Sequence, residues 1–108
     1  MLRHVALFRF KPETTDEQIE AAMVALSALP DRIDVLRKFR FGPDAGITEG
    51  AWDFAVVAVL DNAHDYVAYR DDPAHIAVLR DSIGPLISEA ARIQFESEGE
   101  SPAPAQGS

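Results

Sequence analysis

Cysteine is missing from the 108 residues. Disulfides, thiolate metal sites and cysteine nucleophiles are thereby excluded, and the absence fits a reducing, cytoplasmic setting. Basic residues are scarce as well. Ten Lys and Arg stand against eighteen Asp and Glu, for a formal net charge of −8. Nucleic acid calls for a basic stripe, which a chain of this balance does not offer. The short cluster Arg37-Lys38-Arg40 has acidic flanks and no aromatic ladder, so it reads as a solvated strand face. No apolar run approaches the roughly 20 residues of a membrane helix, and the N-terminus has no signal-peptide layout. The loop Gly42-Pro43-Asp44-Ala45-Gly46 lacks the Gly-x-x-x-x-Gly-Lys spacing that cradles phosphate.

What is present suits one α+β domain, expected over residues 1–96, followed by a Pro/Gly-rich polar tail over 97–108. That tail has too little apolar surface to offset the entropy of ordering and is expected to be disordered. Residues 3–11 alternate as a strand, with His4, Ala6, Phe8 and Phe10 on one face and Val5 and Leu7 on the other. Thr14 and Glu17 offer a capping box for a helix whose stripe is Ile19, Ala22, Met23 and Leu26, ending before Pro30. Residues 34–41 predict a second strand. Residues 52–60 predict a third that is apolar on both sides, with Asp53 its one polar residue. Asn62 caps a further helix to about Asp71; Asp72 and Pro73 then cap and start another, which runs to Gly84-Pro85. Residues 89–96 predict the last strand, with Ala91, Ile93 and Phe95 on one face.

The order β-α-β-β-α-β is the ferredoxin-like arrangement, with helices on one face of a four-stranded antiparallel sheet. The other face has no element left to cover it, yet the first and third strands are apolar on both sides. An uncovered face of that kind predicts two sheets packed across a two-fold axis, a homodimer.

The start Arg3-His4-Val5-Ala6-Leu7-Phe8-Arg9-Phe10-Lys11 and the stretch Asp65-Tyr66-Val67-Ala68-Tyr69 through Pro73-Ala74-His75 together resemble the stress-responsive A/B barrel (Dabb) domain family. Trp52-Asp53-Phe54 fits the same pattern. The resemblance covers about residues 1–96 and implies a dimeric α+β barrel. The family includes plant stress-responsive proteins and olivetolic acid cyclase, a polyketide cyclase that works without cofactor. Tyr69, His75 and His4 occupy positions matching that enzyme's tyrosine and two histidines. Between Tyr69 and His75 the cyclase is mostly apolar, whereas this chain has Arg70, Asp71 and Asp72.

Taken with the resemblance, Tyr69 and His75 are the candidate catalytic residues. His75 stands at the third position after the Asp72 cap, where the positive end of a helix disfavours imidazolium and the Asp72 carboxylate favours it. A neutral imidazole is a competent base for a C–H flanked by two carbonyls, and the Tyr69 hydroxyl is a donor to the oxygen that gains charge. His4 is expected to orient His75 or bind a polar end of a substrate. Phe8, Phe10, Trp52 and Phe54 are candidates to line a pocket for a small apolar or polyketide-like ligand. A tyrosine packed under a helix and a histidine bonded in a corner give the same pattern, so a structural or stress-protective dimer stands beside the enzyme reading. Ferredoxin-like dimers also include cofactor-free monooxygenases and haem-binding proteins, but nothing in this chain selects for haem. His4, His64 and His75 do not have the spacing of a metal set. Neither metal nor cofactor is expected.

Overall fold

The computed structural model describes residues 1–97. Four strands, β1 (Leu2–Phe10), β2 (Lys38–Pro43), β3 (Phe54–Leu60) and β4 (Ile87–Glu96), form one antiparallel sheet in the order β2-β3-β1-β4. The helices α1 (Asp16–Ser27), α2 (Leu29–Arg32), α3 (Ala63–Asp71) and α4 (Pro73–Val78) complete the ferredoxin-like order. Period-two alternation puts Leu2, His4, Ala6 and Phe8 of β1 beside Phe54, Val56, Ala58 and Leu60 of β3 on one buried face. Ala22 and Leu26 of α1, Leu29 of α2 and Tyr69 of α3 close over that face and make the core.

Local chemistry moves several predicted boundaries. The cap of α1 is Thr15, whose hydroxyl accepts from Gln18 N–H at 3.2 Å while Gln18 returns the bond at 2.9 Å. Thr14 and Glu17 are displaced from these roles by one residue. The first helix ends before Pro30, at Ser27, and Pro30 lies in the first turn of the short α2 that follows, where proline is tolerated. The second strand starts at Lys38; Val35 and Leu36 pack on the core from the preceding turn. The third starts at Phe54, because Asp53 is occupied elsewhere: its N–H donates to the Phe8 carbonyl and its carboxylate accepts from Phe10 N–H at 2.8 Å. This explains a lone acid in an apolar segment.

The helix after Pro73 is not regular. A π turn over Leu79–Ile83 and a 3-10 turn over Gly84–Leu86 follow α4. Gly84 N–H donates to the Leu79 carbonyl, five residues back, and a Cβ at Gly84 would collide with that carbonyl.

Among the described residues, no helix covers the opposite sheet face. Val5 and Leu7, Val57, and Ala91, Ile93 and Phe95 lie there, flanked by Lys38, Arg40 and Glu89. Ile93 and Phe95 are 58% and 43% exposed. Ser97 extends the ladder by one residue, donating to the Met1 carbonyl at 2.9 Å and accepting from Arg3 Nε at 3.0 Å. The rest of the predicted tail lies outside the described residues. No helix among the described residues is long and apolar enough to cross a membrane.

Candidate functional site

The site is built by the break between α3 and α4. Asn62 caps α3 by accepting from Asp65 N–H, which sets Tyr66 and Tyr69 three residues apart on the face turned to the sheet. Asp72 then leaves the helical region, with φ −64° and ψ 133°, and its carboxylate accepts from Ala74 N–H at 2.8 Å. The chain re-enters a helix at Pro73 and brings His75 back against Tyr69, ring centroids 4.3 Å apart. From β1, His4 meets both phenol rings, at 5.0 Å from Tyr66 and 6.2 Å from Tyr69.

These residues surround a cavity of about 230 Å³ between the sheet and the helices. Ala6 and Phe8 continue its floor beyond His4, joined by Val56, the β3 partner of Ala6. Leu26 of α1 and Leu79 and Ile83 of the π turn make its apolar walls. The wide turn places Leu79 and Ile83, four residues apart, on the same cavity; π turns recur at such sites. Arg70 and Arg92 also line it.

Hydrogen bonding decides the proton positions. His75 Nδ1 lies 3.0 Å from the Arg70 carbonyl oxygen. A carbonyl only accepts, so Nδ1 carries the proton and the Nε2 of neutral His75 keeps its lone pair. His4 Nδ1 lies 2.8 Å from the side-chain amide nitrogen of Gln94, which donates to it and leaves the His4 proton on Nε2. The Tyr69 side chain is 2% exposed and its hydroxyl has no hydrogen-bond partner among the described residues. No fully enclosed side-chain oxygen or nitrogen among those residues lacks a partner, so this hydroxyl opens onto free space.

Burial also sets the protonation states. It pushes the His4 imidazole down to about 4, helped by the neighbouring His75 and by the Arg92 charge. It lowers His75 too, against the opposing pull of the Arg70 carbonyl and the Asp72 carboxylate. Desolvation, rather than the end of a six-residue helix, is thus the main reason His75 stays neutral. The Tyr69 phenol is raised far above its ordinary range, first by burial and then by Tyr66, and remains a hydroxyl donor at any physiological pH.

Of the candidate residues, Tyr69, His75, His4 and Phe8 come together here. Phe10, Trp52 and Phe54 are placed away from the cavity. A register shift between Arg9 and Phe10 turns Phe10 aside, and it packs on Phe54 at 5.7 Å. Phe54 is fully buried between Phe10 and Phe41, the latter at 6.4 Å. Trp52 precedes β3 and lies under the Arg9 guanidinium, 4.4 Å from the ring centroid. Tyr66, which was not among the candidate site residues, also lines the cavity. Leu26 already lay on the apolar stripe of the first helix, and Val56 has the strand parity of the candidate Phe54. Arg92 carried one signal, its alternation with Ala91 and Ile93. His64 is exposed, and no group of three or more His, Cys, Asp or Glu among the described residues is placed to hold a metal.

Comparison with known proteins adds the following. The family described as Stress responsive A/B Barrel Domain (Dabb) matches residues 2–97. A dimeric ferredoxin-like protein of unknown function from Thermobifida fusca is 42% identical, over 87% of this chain and 88% of its own, with a TM-score of 0.81. A dimeric protein of unknown function and ferredoxin-like fold from Bacteroides fragilis is 25% identical, covering 89% and 95%, with a TM-score of 0.77. The hydroxynitrile lyase of Passiflora edulis shares the fold at 14% identity, covering 94% and 96%, with a TM-score of 0.78. No curated protein matches the chain.

Proposed function

The chain belongs to the stress-responsive A/B barrel domain family, and on that premise we propose that it is a homodimer whose cavity binds a small carbonyl compound and catalyses proton transfer without a cofactor, in the manner of a polyketide cyclase-like lyase. One observation carries this reading. A neutral imidazole with its Nε2 lone pair free stands against a tyrosine hydroxyl with no protein partner, inside an apolar cavity. His75 Nε2 takes a proton from a carbon flanked by two carbonyls. The Tyr69 hydroxyl donates to the oxygen of the resulting enolate, whose charge it stabilises because burial keeps water away. The enolate carbon then adds to a second carbonyl of the same molecule, and the imidazolium returns its proton to the new alkoxide. The base is regenerated and no electrons are exchanged with another group. A cavity of about 230 Å³ lies below the roughly 300–1,000 Å³ of pockets for drug-sized ligands. That size favours a compact substrate over a macrocycle such as haem.

The test is hydrogen–deuterium exchange in D2O at the carbon between the carbonyls of small 1,3-dicarbonyl compounds and short poly-β-carbonyl thioesters. The native protein exchanges this position faster than buffer. His75→Ala is expected to lose about 10²-fold or more, and Tyr69→Phe roughly 10-fold to 10²-fold with the same fold retained. Binding shifts at His75 without any exchange would make the protein a binder rather than an enzyme.

A further inference from the structure

Arg92 occupies a position that the core pattern would give to an apolar residue. It pairs with Ala6 on the helix-facing side of the edge strand β4, beside Gln94, and reaches the cavity that holds His4 and His75. Its proximity is independently visible in the electrostatics of His4, which it disfavours as a cation. Among the described residues, Arg92 has neither an ion pair nor a hydrogen bond to a carboxylate. Arg92 is exposed and is one of several cations without an ion pair among the described residues, Lys38 and Arg40 included; what sets it apart is its place on the cavity lining. Neighbouring charges do not take its place. Asp72, the acid that acts on His75, is committed to the Ala74 N–H. Arg70, also on the cavity lining, has its Nε and one terminal nitrogen on Asp71, at 2.8 and 3.1 Å.

We propose that Arg92 is an anion-recognition residue at this cavity and that the natural ligand is a compact apolar molecule carrying a carboxylate. A planar guanidinium with its fork free matches one carboxylate through two parallel bonds. Arg70 lines the same cavity, but its charge is balanced by Asp71, so the recognition falls to Arg92. The apolar floor of Ala6, Phe8 and Val56 takes the hydrocarbon part, and the anchored acid leaves the remainder of the molecule facing His75 and Tyr69. The inference rests on the cavity being a ligand site, and it narrows the substrate class from any small carbonyl compound to a carboxylic acid.

Benzoate and benzamide, equal in size and different in charge, are the probes. Each is titrated into the full-length protein and followed by the imidazole signals of His4 and His75 in NMR. Benzoate is expected to bind about tenfold or more tightly than benzamide, the usual scale of a charge-assisted hydrogen-bonded pair. Arg92→Gln should remove the difference while leaving benzamide binding unchanged, and Arg92→Lys should restore part of it. Bound benzoate should also raise the His4 midpoint, because it offsets the Arg92 charge. Equal binding of the two probes, with His75 shifting for both, overturns the anion site and leaves the cavity standing. Failure of both probes to shift either imidazole overturns the ligand cavity as well. Inorganic phosphate binding more tightly than benzoate overturns the carboxylate assignment in favour of a phosphate site.

Discussion

His4 links the site to stability through its proton. Its folded value of about 4 is below the ordinary imidazole value of 6.5, so the folded state disfavours the cation. As pH falls below 6.5 the unfolded chain takes up this proton first, and the contribution of neutral His4 to stability, fully present above 6.5, is lost by about pH 4. Between pH 7 and pH 5 the loss is expected to be about 2 kcal/mol from His4, with His75 acting in the same direction. Urea midpoints at the two pH values measure it. His4→Gln should flatten this slope, and an unchanged slope would show that His4 is not buried neutral. The same residue illustrates what was readable in advance. Strand parity put His4 with Ala6 and Phe8, while His75 and Tyr69 were singled out together by the family resemblance. The proton positions depend on Gln94 and on the Arg70 carbonyl, partners that only the β1–β4 register and the folded helix break bring within reach.

At the scale of elements, the α4 region shows where amphipathic reading stops working. Apolar spacing predicted one regular helix from Pro73 to Gly84-Pro85, but a π turn gains its bond from Gly84 to the Leu79 carbonyl. Nothing in a hydrophobic pattern distinguishes an i→i+4 ladder from one wide turn, because both leave Leu79 and Ile83 on the cavity side. Phe10 failed as a cavity residue for a related reason. The register shift beside Arg9 breaks the alternation that placed it with Phe8. Gly84 gives a test of the turn. Its backbone is in the right-handed region, with φ −54°, so an alanine there is penalised by space alone. Gly84→Ala is expected to cost about 1–3 kcal/mol in chemical denaturation, the scale of overpacking against an immovable backbone atom. The loss should be accompanied by weaker ligand shifts at His75, since Leu79 and Ile83 carry the cavity wall. A silent substitution would mean that this turn readily relaxes to an α-helical one.

At the scale of the whole molecule, the sheet separates two jobs by the period of a strand. His4, Ala6 and Phe8 face the helices and the cavity, while Val5 and Leu7, one residue out of step, face the side with no helix. The two faces impose different demands on the same strands, which is why β1 and β3 are apolar on both sides. The uncovered patch centred on Val5, Leu7, Val57 and Ile93 fits a second copy of the chain, in keeping with the dimeric Thermobifida fusca and Bacteroides fragilis relatives. Ile93, 58% exposed in the single chain, would be duplicated by a two-fold axis, so a charge placed there is buried twice in the interface. Ile93→Arg is therefore expected to convert dimer to monomer in size exclusion with light scattering, whereas His75→Ala leaves the dimer intact. Because the sheet stands between the interface and the cavity, the Ile93→Arg monomer should still shift His75 on adding benzoate, provided it remains folded. Loss of dimer and ligand response together, in a variant with a native circular dichroism spectrum, would mean that the partner completes the cavity. An Ile93→Arg variant that stays dimeric would place the interface on another face.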